Sequence, residues 1–278
     1  MNDIMVCVKQ VPNTTNIKLD PVRHTLIREG VPSVPNPFDE VALDAALSCK
    51  ARFGAKVGVL SMGPPQAEEM LQTCLARGAD EAFLLTDRRL AGSDTLATAR
   101  ALHAAIRAAG YTTVFCGQET ADSSTGHLGP SLAEMFHVPQ ATSVTSVIAF
   151  SDSLIEVEVE QERSVQVLQM KLPAVVSFAK TGKVDGRAAA RRGGKVRRLT
   201  LDDIGLTEDR VGLEGSPTTV VDIDVDLDSL NYLVVDDRLG AFDRIGTVLR
   251  GGITENERRV IFRSMTEEAY QALLALLR

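Results

Sequence analysis

The chain has no tryptophan, and only three tyrosines and nine phenylalanines among its 278 residues. That scarcity argues against base stacking on aromatic platforms and against an aromatic membrane belt. Its four cysteines, Cys7, Cys49, Cys74 and Cys116, show no CxxC spacing and sit among apolar residues. They read as buried free thiols of a reducing compartment, neither a disulfide framework nor a zinc site. No apolar run approaches the length needed to span a bilayer. Positive charge is also short: 30 Lys and Arg against 37 Asp and Glu leave a net charge of -7, which argues against nucleic acid as the main partner. The start, MNDIMVCVKQ, has no basic or apolar targeting pattern, so a cytoplasmic protein is expected. No nucleophile–base pair and no metal-ligand cluster is evident. The carboxylates of Val220–Asp226 lack the spacing of a cation site and read as a solvated edge.

What is present is a regular alternation of short apolar strands and helical stretches, with a hydrophobic content of 44%. Strands are expected at Ile4–Val8, Lys56–Leu60, Glu81–Leu85, Thr113–Cys116 and Ala174–Phe178. Helices are expected at Glu40–Phe53, with Asn36 as N-cap and Pro37 at the first helical position, and at Gln66–Arg77, closed by Gly78. A third is expected at Thr95–Ala109, capped by Asp94 or Ser93, and a fourth from Pro130 to about His137. This pattern predicts an α/β fold: a doubly wound, mostly parallel, Rossmann-like sheet. Leu154–Val159 and Val165–Met170 alternate apolar and polar residues and should form an antiparallel hairpin through Gln161–Arg163. A further hairpin is expected between Ile17–Leu19 and Thr25–Ile27, and Thr181–Arg198 reads as a Gly- and Arg-rich surface loop. Residues 1–200 are taken as a nucleotide- or flavin-binding domain, and residues 201–278 as an extended C-terminal arm. That arm ends in helices at Thr254–Ser264 and Glu267–Leu277, the second with an apolar stripe.

In such a sheet, ligands sit at the carboxyl ends of the strands. Four loops fall there: Lys9–Pro12, Asn36–Asp39, Ser61–Pro64 and Gln118–Pro130. The last links an apolar strand to a helix start through small residues, which leaves backbone N–H groups and the positive end of a helix dipole open to an anion. A plain βα turn is the alternative for any one such loop; the convergence of four favours a nucleotide site.

Several runs carry a family resemblance: VCVKQVP (Val6–Pro12), NPFDEVALDAAL (Asn36–Leu47), LSMGPPQAEEML (Leu60–Leu71) and LARGADEAFLLTDRRLAGSDTLATA (Leu75–Ala99). The Gly117–Pro130 loop, KLPAVV (Lys171–Val176) and LEGSPTTV (Leu213–Val220) continue it. Together they resemble the small (beta) subunit of electron-transfer flavoproteins. The resemblance implies a subunit with no catalytic triad or metal site of its own, whose chemistry belongs to a bound nucleotide cofactor. It also implies pairing with a large (alpha) subunit that carries a second FAD, and electron exchange with a partner dehydrogenase. It places Cys7 and Lys9 at the adenine side of a pocket also lined by Asn36, Phe38, Asp39 and Met62. Cys116 and Gly117 lead into the phosphate cradle, formed by Asp122, Ser123, Ser124, Thr125, Gly126, His127, Leu128, Gly129 and Pro130. The run GSDTLAT (Gly92–Thr98) is similar to the subgroup whose small subunit holds a whole FAD and bifurcates electrons, which puts Asp94, Thr95 and Thr98 beside a flavin. AMP in place of FAD is the alternative ligand. A stand-alone ATP-binding protein of the stress type is the alternative class. Two departures stand out. The loop reads Asp122-Ser123-Ser124-Thr125-Gly126-His127 where the subgroup often has Asp-Gly-Asp-Thr-Ala-Gln. Gly182–Arg187 replaces the Asn-Glu-Pro-Arg stretch that docks redox partners.

Overall fold

The computed structural model describes residues 3–12, 33–182 and 194–219. Its centre is β1 (Asp3–Cys7), whose residues from Ile4 onward are buried on both faces, as a central parallel strand requires. Flanking it are β4 (Lys56–Met62), β5 (Glu81–Leu85), β6 (Thr113–Gly117) and β10 (Val175–Phe178), all parallel neighbours within one sheet. Successive side chains on these strands go to opposite faces, and each face has its own core. Ile4, Val6, Val57, Val59 and Leu84 pack on one side with Leu43, Leu47, Leu71 and Leu75, from α1 (Pro37–Phe53) and α2 (Glu68–Arg77). Met5, Leu60, Phe83 and Leu85 pack on the other with Leu102, Ile106 and Leu132, from α3 (Thr95–Ala108) and α4 (Leu128–Phe136).

With β7 (Gln140–Phe150), β8 (Leu154–Gln161), β9 (Ser164–Lys171) and β11 (Val196–Leu199), the nine-stranded order is β11-β5-β4-β1-β6-β10-β7-β8-β9. The chain winds outward from β1 through β4 and β5, then returns to lay β6 against the other side of β1. The strand order therefore reverses between β1 and β6, and the crevice beyond their carboxyl ends is the topological switch point of the sheet. A small antiparallel pair, β2 (Gln10–Pro12) and β3 (Ser33–Pro35), stands at the exit of β1 and delivers the chain to Asn36.

The far side holds two surprises. Gln140–Phe150 forms a long strand, β7, parallel to β10, although its interrupted apolar pattern gave no strand expectation. Register shifts at Val144/Ser146 and Val147/Ala149 explain why strict alternation fails there. The expected hairpin is present as β8 (Leu154–Gln161) and β9 (Ser164–Lys171). The expectation that Thr181–Arg198 is wholly loop is corrected: Val196–Leu199 is strand β11, parallel to β5 at the sheet edge, with Val196 and Leu199 buried. Two inward residues in a four-residue strand are too few to register as periodicity. The hairpin expected at Ile17–Leu19 and Thr25–Ile27, the Val220–Asp226 edge and both C-terminal helices lie outside the described residues.

Candidate functional site

Asn36 and Asp39 organise the crevice. Asn36 occupies the N-cap position of α1, as expected, but its side chain does not cap the helix. It is fully buried and points across the crevice, where its Nδ2 donates to the Glu119 carbonyl at 2.8 Å and its Oδ1 accepts from Ala121 N–H at 3.1 Å. The amide thus clamps the mouth of the loop that follows β6. Pro37 has no N–H to satisfy, so the helix starts without losing much from the diverted side chain.

Asp39, one turn into α1, is also buried. Its Oδ2 accepts from Lys9 N–H at 2.8 Å and its Oδ1 from Gly117 N–H at 2.9 Å, so one carboxyl joins the ends of β1 and β6. Burial pushes its pKa up to about 7; the N–H groups of Lys9 and Gly117, the Asn36 side chain and the Lys9 charge pull the other way without cancelling it. Gly117 is required here because a Cβ would run into Asp39 Oδ1 and the Phe38 Cβ.

Above this floor, the Lys9 ammonium meets Asp122 Oδ1 at 2.7 Å. The lysine side chain is 37% exposed while that of Asp122 is almost enclosed, so the pair is open to solvent on the lysine side. Residues 120–124 brace themselves: Thr120 Oγ1 and Ser123 Oγ lie 2.7 Å apart, and Ser124 N–H donates to the Thr120 carbonyl at 2.8 Å. Ser124 and Gly126 take left-handed backbone angles, φ 46° and 66°. Gly126 is followed by His127 in the right-handed region (φ -93°, ψ -11°), and this left-then-right-handed pairing is of the kind found in anion-binding backbone nests. The helix α4 then begins at Leu128, two residues before the expected start at Pro130, and its first N–H groups have no intrahelical acceptors. Gly129 lets this helix start press on β10: a Cβ there would overlap Ser177 Oγ and touch Cys116 Sγ. Ser177, a buried hydroxyl in an apolar strand, was the one polar hint of this contact. Its Oγ lies 3.4 Å from Cys116 Sγ.

All four cysteines are buried, which disfavours their thiolate forms. Burial raises the Cys7 thiol well above its ordinary value and that of Cys116 to about 12. Met62 ends β4 half-buried against the second core. His127 is exposed at the N-cap of α4, with no capping hydrogen bond of its own.

Lys9, Asn36, Phe38, Asp39, Gly117 and the 122–130 loop are therefore brought together. Asp94, Thr95 and Thr98 lie at the start of α3, where Asp94 is tied to the 216–218 segment. Asp94 caps α3 by accepting from Ala97 N–H at 2.9 Å, and its other oxygen accepts from Thr218 N–H at 3.1 Å and Thr218 Oγ1 at 2.7 Å. Its own N–H donates to Ser216 Oγ at 2.8 Å. Burial works against the Asp94 charge, but the donors from Ala97, Thr218 and Leu96 outweigh it and hold the pKa below the ordinary carboxylate value. Nothing in sequence spacing pointed to Ser216 and Thr218, which lie more than 120 positions away in the chain.

The residues fit a phosphate-bearing nucleotide. The loop offers main-chain donors, a helix N-terminus and the Lys9 ammonium, which offsets the Asp122 carboxylate. Among the described residues no group of three or more His, Cys, Asp or Glu is placed to hold a metal ion, and no helix is long and apolar enough to cross a membrane.

Comparison with known proteins agrees with this geometry. An electron transfer flavoprotein domain matches residues 24–204. The electron transfer flavoprotein subunit beta of Thermoanaerobacterium thermosaccharolyticum is 44% identical over 225 residues, covering 79% of this chain and 86% of that protein. That of Clostridium acetobutylicum is 43% identical over 223 residues, covering 78% and 86%. Protein FixA of Bradyrhizobium diazoefficiens is 42% identical over 231 residues, covering 78% and 80%. The chain belongs to the electron transfer flavoprotein family and is a small-subunit (beta) member of it.

Proposed function

We propose that this subunit binds a whole FAD in the β1/β6 crevice and carries electrons between a donor and a partner dehydrogenase, paired with a large subunit that holds a second FAD. The observation that supports it most is the convergence of Lys9, Asn36, Asp39 and the 117–130 loop at the switch point, locked by Asn36 and Asp39 across the crevice. The N–H groups around Gly126–Gly129, the hydroxyls of Ser124 and Thr125 and the Lys9 ammonium hold the phosphates, while Asn36 and Phe38 shape the adenine end. The flavin, when bound, supplies the one- and two-electron chemistry. The protein's own part is to orient it, exclude water and bias its charge through N–H donors and helix dipoles. The run Gly92–Thr98 supports the finer reading of electron bifurcation, and the four free, buried thiols suit the cytoplasm.

A second reading, AMP in the same crevice, is favoured by one observation. Both Asp94 oxygens are already engaged by Ala97 and Thr218, so the α3 start needs no flavin to satisfy it. Co-purification with the large subunit in added FAD, acid release and counting of ligands separates the two. Two flavins and no AMP per complex is the expected result; one flavin and one AMP would sink the FAD reading.

A further inference from the structure

On the opposite side of the molecule from α1 and α2, a groove of about 660 Å³ opens between α3, the end of α4 and the turn at residues 204–210. Its apolar lining comprises Ala104, Ala108, Met135, Ile204 and Leu206, and its basic lining Arg100, Arg107 and Arg210 around His103. Among the described residues the lining contains no carboxylate, in a chain whose net charge is -7. Among the described residues none of the three arginines has an ion pair. Arg100 is fixed by donating to the carbonyls of Gly215, at 3.1 Å, and Arg210, at 3.5 Å, which orients the guanidinium without neutralising it. Glu208, on the same turn as Arg210, is drawn away to Arg89 at 3.4 Å.

We infer that this groove is a second ligand site, for a small organic phosphate with an apolar body, separate from the nucleotide crevice. The size is that of a small-molecule pocket, roughly 300–1,000 Å³. Guanidinium groups are permanently charged and present paired N–H donors that match phosphate oxygens, whereas an apolar lining rewards a carbon body. Arg107 and Arg210 are exposed, so their guanidinium groups remain open to an incoming anion. His103 reports the positive charge there: burial first, then the charges of Arg107 and His137, hold its pKa below the ordinary value. Its ring packs edge-on against Phe136, with centroids 4.4 Å apart, so the histidine is a fixed wall of the groove.

The site is independent of which nucleotide fills the β1/β6 crevice, and the test keeps the two apart. Phenyl phosphate and inorganic pyrophosphate are titrated calorimetrically into the purified heterodimer, wild type and Arg107→Gln/Arg210→Gln, with bound flavin and AMP counted in both. The expected result is saturable binding of phenyl phosphate, tighter than pyrophosphate because of the apolar lining, and weakened at least tenfold in the double variant with nucleotide content unchanged. Absence of phenyl phosphate binding, or binding that the double variant leaves intact, overturns the inference. Loss of large-subunit association in the variant, without phosphate binding in the wild type, also overturns it and makes the groove a protein interface.

Discussion

The Lys9 ammonium and the Asp122 carboxylate meet at 2.7 Å across 113 positions of sequence, tying the exit of β1 to the loop after β6. The contact sets both the position of the loop and the charge of the crevice. Without Lys9, a nearly enclosed carboxylate would face any incoming phosphate. Replacement Lys9→Met is expected to weaken nucleotide binding by one to two orders of magnitude and to cost roughly 1–3 kcal/mol of stability, reduced from the fully buried case because the lysine is partly solvated. The double variant Lys9→Met/Asp122→Asn should regain much of the stability but less of the affinity. Equilibrium dialysis and denaturant unfolding of the complex measure the two effects. A single variant that binds as wild type would show that the pair is only a surface bridge.

Asp39 gives the crevice a pH response. Its pKa is raised by burial to about 7, from 3.8, so the fold favours the protonated form. The sign follows from linkage: the contribution is complete below the unfolded value and is lost as pH rises through the folded one. Between pH 5 and pH 8 the wild-type complex should therefore lose about 1–3 kcal/mol relative to Asp39→Asn, which cannot ionise. Parallel pH profiles for the two proteins in denaturant unfolding would contradict this.

Gly117→Ala tests close packing apart from charge. The added methyl must displace Asp39 or Phe38, so a loss of about 2–4 kcal/mol and release of bound nucleotide are expected. The same change at Gly54, where a Cβ meets nothing within 4 Å, should cost only the strain of φ 76°, about 1 kcal/mol. Thermal unfolding that ranks the two equally would remove the packing argument.

Asp94→Ala removes both a helix cap and a clasp on the 216–218 segment. About 1–3 kcal/mol should be lost, more than a cap alone contributes, and hydrogen exchange should rise at Thr218 as well as Ala97. Protection lost only at Ala97 would show that the clasp adds nothing.

The parts of this site that the sequence made legible are those built from local rules. Asn36-Pro37 marks a helix start, Gly117 ends a strand, and small residues before α4 announce exposed N–H groups. The partners of those residues were not legible. Asn36 reads as a cap by type and position, yet its amide serves Glu119 and Ala121 because tertiary hydrogen bonds outcompete the local one. Asp94 reads as an available ligand contact, yet Ser216 and Thr218 reach it from the far end of the domain. The same limit applies to the sheet. Continuous apolar runs identified β1, β4 and β5, whereas β7 and β11 were hidden by bulges and by brevity.

The central claim is that Asn36 and the 117–130 loop hold the adenine and phosphate end of a whole FAD. Its most direct test is titration of the ligand-stripped heterodimer with FAD, wild type and Asn36→Ala, with AMP or FMN as competitor. Two FAD equivalents should bind to the wild type, one of them displaced by AMP and not by FMN, and Asn36→Ala should lose that AMP-sensitive equivalent at least tenfold in affinity. Equal stoichiometry and affinity in the variant, or displacement by FMN as readily as by AMP, would contradict the account.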